Sequence, residues 1–188
     1  YQNIEVILID DGSTDGCQDI CDEFCKKDTR VQVYHIKNKG YSYARNIGLK
    51  FCTGDYVTFV DSDDLCDRDL IENQIKSITR NQSEISVCKS VFFCKDGLIV
   101  DKYSKNINKP IYKYEEMLDL VFSVGEYKNS PYSGGQCWHK LISSKILDKI
   151  RFYEDKNYCE DEIFSCEIFK KAKKISFSKF ASYKYRAR

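Results

Sequence analysis

Three carboxylates crowd the end of an apolar run at residues 56–67 (YVTFVDSDDLCD): Asp61, Asp63 and Asp64. Like charges at this spacing cost free energy unless a cation or hydrogen-bond donors sit among them. An Asp-x-Asp pair at a strand end can ligate Mg2+ or Mn2+, with a substrate's phosphates and water completing the shell. A second acidic cluster, residues 10–15 in VILIDDGSTD, ends another apolar run. There Asp11 is placed to accept hydrogen bonds from a nucleobase or ribose. Arg45 and residues 37–40 can offer positive charge or backbone N–H to phosphate. The plain alternative for both clusters is a solvated turn, which Asp and Ser favour because they hydrogen-bond nearby backbone.

For these residues to act together, the chain must carry them to one rim. Residues 4–9 (IEVILI) read as a short buried strand, and CQDICDEFCKK follows with helical spacing and a basic end. Residues 31–36 are expected as a second strand, YSYARNIGLKF as a second helix, 56–60 as a third strand and 70–78 as a third helix. Strand and helix alternating three times is the pattern of an α/β fold with a mostly parallel sheet and covering helices. Ligands then bind beyond the carboxyl ends of the strands, where both acidic clusters fall. From Glu84 the rhythm changes. Residues 85–93 and 98–100 read as strands around a turn at Asp96 and Gly97. Residues 114–122 and 141–150 read as helices, EDEIFSCEIFKKA as a late helix, and 175–177 as a short last strand. No linker rich in Pro, Gly or Ser interrupts the chain, so a single domain over 1–188 is expected.

Charge is nearly balanced, 30 basic against 29 acidic residues, which leaves no electrostatic footprint for nucleic acid. No apolar run of about 18 residues appears, so no membrane span is expected. The 10 cysteines include no C-x-x-C, and His35 and His139 lack ligand-spaced neighbours, against a zinc site. Cys17, Cys21 and Cys25 recur every four residues beside Ile20 and Phe24. That stripe reads as the buried face of a helix carrying reduced thiols, as in a reducing interior.

Taken in order, EVILIDDGSTD, NKGYSYARNIGL, GDYVTFVDSDD and CEDEIF resemble the motifs of family 2 glycosyltransferases of the GT-A fold, and the likeness covers nearly the whole chain. The resemblance implies a nucleotide-sugar donor, commonly UDP-linked, and a divalent metal, Mg2+ or Mn2+. It implies inverting transfer to the hydroxyl of a saccharide or lipid-linked acceptor. By motif it places Asp11 on the nucleotide base, Asp61 and Asp63 in the metal-binding Asp-x-Asp, and Asp161 as the general base, with Glu160 beside it in the acceptor or sugar pocket. CWHKLISSKIL and YKYRAR resemble elements of the bacterial surface-polysaccharide branch. They place Trp138 and Lys140 in the sugar pocket and Arg186 or Arg188 near the diphosphate. The implied fold is a Rossmann-like GT-A sheet with helices on both faces, residues 1–83 on the donor side and 84–188 on the acceptor side. The family's first strand has no counterpart here, so the chain is expected to be a piece of a longer enzyme that binds donor poorly by itself. The implied setting is cytoplasmic, at the inner face of the membrane.

VTFVDSDDL also resembles the first motif of haloacid-dehalogenase phosphatases, in which Asp61 would be the nucleophile and Asp63 the acid/base. That motif normally lies on an opening strand, whereas two strand–helix units precede it here. A third class, a non-catalytic remnant that recognises sugar, is opposed by the intact Asp-x-Asp and Glu-Asp pairs. Structural roles stand beside the chemical ones. Residues 160–162 open a helix, where acidic side chains are favoured by the dipole. Arg45 in mid-helix suits a surface ion pair, and Trp138 suits a core.

Overall fold

Strand β1 (Val6–Asp10) and strand β2 (Val31–His35) pair in parallel, with Val6 opposite Val31 and Asp10 opposite His35. Their β-branched residues favour that pleated geometry. The computed structural model describes residues 1–93, 99–100, 109–122, 134–155 and 159–186. Gln2–Asp55 with Arg151–Glu160 form one compact unit, and Tyr56–Ile150 with Asp161–Arg188 form the body of another. In the first unit the crossover is α1 (Cys17–Lys27), started by the Asp15 carboxylate accepting the Cys17 N–H at 3.2 Å. Helix α2 (Tyr41–Phe51) begins after Gly40, whose φ of 89° and ψ of 163° suit glycine alone. On α2, Asn46 treats Phe152 as a strand partner. Its Oδ1 accepts the Phe152 N–H at 2.8 Å and its Nδ2 donates to the Phe152 carbonyl at 2.9 Å.

The second unit carries a seven-stranded sheet. In chain order its strands are β3 (Tyr56–Val57), β4 (Leu65–Cys66), β5 (Ile85–Phe93), β6 (Ile99–Val100), β7 (Ile111–Tyr112), β8 (Lys140–Ser143) and β9 (Ile175–Arg186). In space the order is β3-β8-β5-β9-β4, with β6 on β5 and β7 on β9. The long β5 and β9 run parallel and the other pairings are antiparallel, so the sheet is mixed. Helices α3 (Leu70–Asn81), α4 (Tyr114–Phe122) and α5 (Glu160–Lys171) supply apolar faces, among them Leu70 and Ile78, Met117 and Leu120, and Phe164, Ile168 and Phe169. The β5–β9 register slips once: Cys88 faces Ser178, but Lys89 faces Ser182. This bulge leaves Phe180 exposed and redirects the far half of β9. That half pairs with β4, Cys66 opposite Tyr183. Leu70, Cys88, Trp138 and Tyr183 form a buried cluster there. Burial of each large apolar side chain contributes about 1.5–3 kcal/mol.

Several elements differ from the sequence reading. Residues 141–150, expected as a helix, contribute to β8 and then a 3₁₀ turn at Leu147–Lys149. Pairing of Lys140, Leu141 and Ile142 with β5 overrides their helical spacing. The last strand is 12 residues long, and the third strand stops at Val57, followed by an isolated bridge from Phe59 to Trp138. The α1 stripe expected to be buried is not: Cys17 and Cys25 are exposed, Cys21 is half-buried, and Ile20 and Phe24 are each 57% exposed. Two strands make too narrow a sheet to cover a helix face. Cys88 and Cys137 are the buried thiols, and every cysteine among the described residues is free. The turn expected at Asp96 and Gly97 lies outside the described residues. Among the described residues, no helix is long and apolar enough to cross a membrane.

Candidate active site

The acidic stretch forms the loop between β3 and β4, closed by the Asp64 N–H donating to the Asp61 carbonyl at 3.1 Å. Asp64 is buried at 9% exposure and belongs to the scaffold. Its Oδ2 accepts the Tyr183 hydroxyl at 2.7 Å, and its Oδ1 accepts the Arg186 N–H at 2.8 Å. The Tyr183 oxygen also accepts the Asp61 N–H at 3.0 Å, while Arg186 Nε donates to the Asp63 carbonyl at 2.6 Å. Burial, then the Asp64 carboxylate, push the Tyr183 phenol far above its ordinary range, so it remains a proton donor. The loop's backbone is therefore pinned from β9, with half-buried Asp61 and Asp63 as its remaining carboxylates. No cluster of three or more His, Cys, Asp or Glu able to hold a metal occurs among the described residues. Two carboxylates on a fixed turn do fit a hard divalent cation whose other positions come from phosphate and water.

Asp161 stands in the first turn of α5, half-buried, and its Oδ2 accepts the Cys137 N–H at 3.2 Å. The next residue, Trp138, bridges Phe59, two positions before Asp61, and the Phe59 ring meets Phe164 of α5 edge-on at 5.7 Å. The acidic loop and Asp161 are thus tied to one stretch of backbone, residues 137–138. Trp138 and Lys140, expected to line a sugar pocket, lie in the interior. Trp138 is 6% exposed and stacks on Tyr183 at 4.6 Å and Tyr185 at 5.4 Å. Lys140 is wholly buried, its ammonium on the Gln136 carbonyl. Glu160 is half-buried at the start of α5, and Arg188 lies outside the described residues.

In the other unit, both oxygens of Asp11 are engaged by backbone: Oδ1 accepts the Lys39 N–H at 2.9 Å and Oδ2 the Gly40 N–H at 2.8 Å. Contact with a nucleobase would use the second lone pairs of the same oxygens. Gly12 packs so closely that an added Cβ would fall 2.8 Å from the Asn38 nitrogen. Asp10 Oδ1 accepts the Ser13 N–H at 3.0 Å, and its Oδ2 meets His35 Nδ1 at 2.9 Å. His35 Nε2 reaches Asp22 at 3.1 Å. Hydrogen bonds from the Ser13 hydroxyl and His35 hold the Asp10 carboxyl well below its ordinary range. Asp10 and Asp22 in turn raise His35. Arg45 lies over the rings of Tyr41, at 5.4 Å, and Phe152, at 5.3 Å.

Sequence reasoning missed Asp64, Tyr183 and His35 as organisers. Asp64 is visible in DSDD, but its partner lies 119 positions away, and no local pattern marks that pairing.

A family model described as glycosyl transferase family 2 matches residues 1–171. Among curated proteins, the chain is 30% identical over 194 residues to the glycosyltransferase GlyA of Streptococcus pneumoniae serotype 4, covering 100% of this chain and 27% of that protein. It is 30% identical over 191 residues to GlyG of the same organism, covering 100% of this chain and 62% of that protein. The chain therefore spans only part of these relatives' lengths. Among solved structures, it superposes on S. aureus TarS 1-349 in complex with UDP-GlcNAc with a TM-score of 0.76 at 23% identity, over 98% of this chain and 50% of that one. That likeness shows a shared fold.

Proposed function

The chain belongs to glycosyl transferase family 2, and from that premise we propose that its protein transfers a sugar from a UDP-linked donor to an acceptor hydroxyl with inversion. The observation that carries the reading is the common anchoring of the acidic loop and Asp161 on residues 137–138. Support for the donor comes from S. aureus TarS, a relative in fold that has been solved with UDP-GlcNAc. The acceptor we propose is a saccharide or lipid-linked saccharide of the cell surface.

Asp61 and Asp63 would hold Mg2+ or Mn2+, which when bound would neutralise charge on the departing diphosphate. Because Tyr183 and Arg186 fix the loop's backbone, the two carboxylates are set before substrate arrives, and little reorganisation is needed. Asp161, steadied through Oδ2 by the Cys137 amide, takes the acceptor's proton as its oxygen attacks the anomeric carbon. Attack opposite the leaving group inverts the configuration.

Asp161→Asn keeps the shape of the side chain but removes its basicity. Turnover of UDP-sugar should fall by about 10²–10⁴-fold while donor affinity stays nearly constant. Undiminished turnover would remove Asp161 from the mechanism. A phosphoryl group trapped on Asp61 would instead make the protein a phosphatase.

A further inference from the structure

Lys140 is wholly buried, and neither the proposed chemistry nor simple packing accounts for a charge there. Desolvating an ammonium is costly, so a buried one needs a partner that repays the burial. We propose that Lys140 is a positioning residue for Asp161, its ammonium fixing the backbone strap 135–137 whose last amide holds the Asp161 carboxylate. This rests on the reading of Asp161 as the base.

The strap is fastened at three consecutive residues. The Gly135 carbonyl accepts the Ser165 hydroxyl of α5. The Gln136 carbonyl accepts the Lys140 ammonium. The Cys137 N–H donates to Asp161 Oδ2 at 3.2 Å. Gly135 lies so close to α5 that an added Cβ would sit 2.6 Å from Glu162 Cγ, so the strap has no slack toward the helix. The middle and last fastenings each join a backbone group to a charged side chain, and charge-assisted hydrogen bonds are roughly twice as strong as neutral ones. Losing the middle one frees the peptide group that carries the Cys137 N–H itself.

The ammonium's surroundings show what it serves. Phe169 of α5 presents its ring 5.5 Å from Nζ, and His139 Nε2 lies at 3.5 Å. Burial and the neighbouring Lys140 hold His139 well below its ordinary range, so it stays neutral. Besides His139, the described titratable groups that act on Lys140 are Cys137 of the strap, Asp161, Glu162 and Cys166 of α5, and Cys88 of β5. Their attraction only partly offsets burial, which pulls the ammonium down to about 8. Below that pH the strap is held by a cation; above it, by a neutral amine. Turnover should therefore decline on the alkaline side near pH 8.

The test compares wild type, Lys140→Met and Asp161→Asn in the full-length protein. UDP release is followed from UDP-GlcNAc, UDP-glucose and UDP-galactose with Mn2+ between pH 6 and 9.5. Hydrogen exchange at the Cys137 amide and thermal melting are measured alongside. Lys140→Met leaves the Gln136 carbonyl short of a donor, so it is expected to melt below wild type while staying folded and keeping its donor KM. Its kcat should drop by about 10–100-fold, the cost of a misplaced catalytic group. The alkaline decline should vanish, and the Cys137 amide should exchange faster. Wild-type kcat and pH profile in Lys140→Met, or unchanged exchange at Cys137, would overturn the proposal. Full turnover in Asp161→Asn would sink the base assignment and the catalytic part of this role with it. Faster Cys137 exchange in Lys140→Met would then still support the mechanical link.

Discussion

At the scale of single residues, Tyr183 is the most exposed to test. Its hydroxyl joins Asp64 to the Asp61 amide at 2.7 and 3.0 Å. Tyr183→Phe keeps the ring stacked on Trp138 and removes only that oxygen, leaving the buried Asp64 oxygen short of a donor. Stability by urea unfolding should fall by about 1–3 kcal/mol. Affinity for UDP in the presence of Mn2+ should fall with it, because the loop carrying Asp61 and Asp63 loses one of its ties to β9 and keeps only those to Arg186. An unchanged affinity would mean that the loop needs no such support. Asp61, Asp63 and Asp161 could be named as candidates from the sequence because each lies in a short ordered motif. Tyr183 and Arg186 were not legible as loop anchors, since their contacts cross more than a hundred residues and depend on the β9 bulge.

At the scale of elements, His35 clamps β1, β2 and α1 between Asp10 and Asp22. Both ring nitrogens face carboxylates, so the imidazolium satisfies both contacts and the neutral ring only one. Its raised pKa means that the stabilisation is complete below the unfolded value of about 6.5 and is lost as pH rises through the higher folded value. Asp10 behaves oppositely, its stabilisation being present above the unfolded carboxyl value and lost only in strong acid. Melting of the wild type should therefore weaken as pH rises beyond about 6.5, and His35→Gln should flatten that dependence. A parallel loss in both proteins would point to another group. Helices with an apolar stripe, such as α2 and α3, and the long apolar run of β5 could be read from the sequence alone. Residues 140–143 misled because their apolar spacing fits either element and only pairing with β5 decides it. The α1 stripe misled for a different reason: periodicity reports which face is apolar, not whether anything covers it.

At the scale of the whole molecule, the two units differ in how much they bury. Ile85, Cys88, Ile142, Phe164, Ile168, Phe169 and Tyr183 are wholly enclosed in the larger unit. In the smaller one α1 buries no residue and α2 only Ser42 and Leu49. Amide exchange tracks such differences. Protection should be greatest in β5, β8 and α5 and least in α1; uniform protection would contradict this account of where the stability lies. The family assignment was within reach of the sequence because four motifs occur in order. Division into two compact units was not, since no linker marks it and residues 151–160 join the first unit from far along the chain.

The central claim is that Asp61 and Asp63, on a loop pinned from β9, receive a metal-bound nucleoside diphosphate. Calorimetric titration of UDP into the full-length protein, with and without Mn2+, tests it most directly when repeated on Asp63→Asn. The account expects binding that requires Mn2+ and that weakens in the variant by more than the roughly 10–100-fold that loss of an outer-shell partner costs. Equal affinity in all four titrations would contradict it.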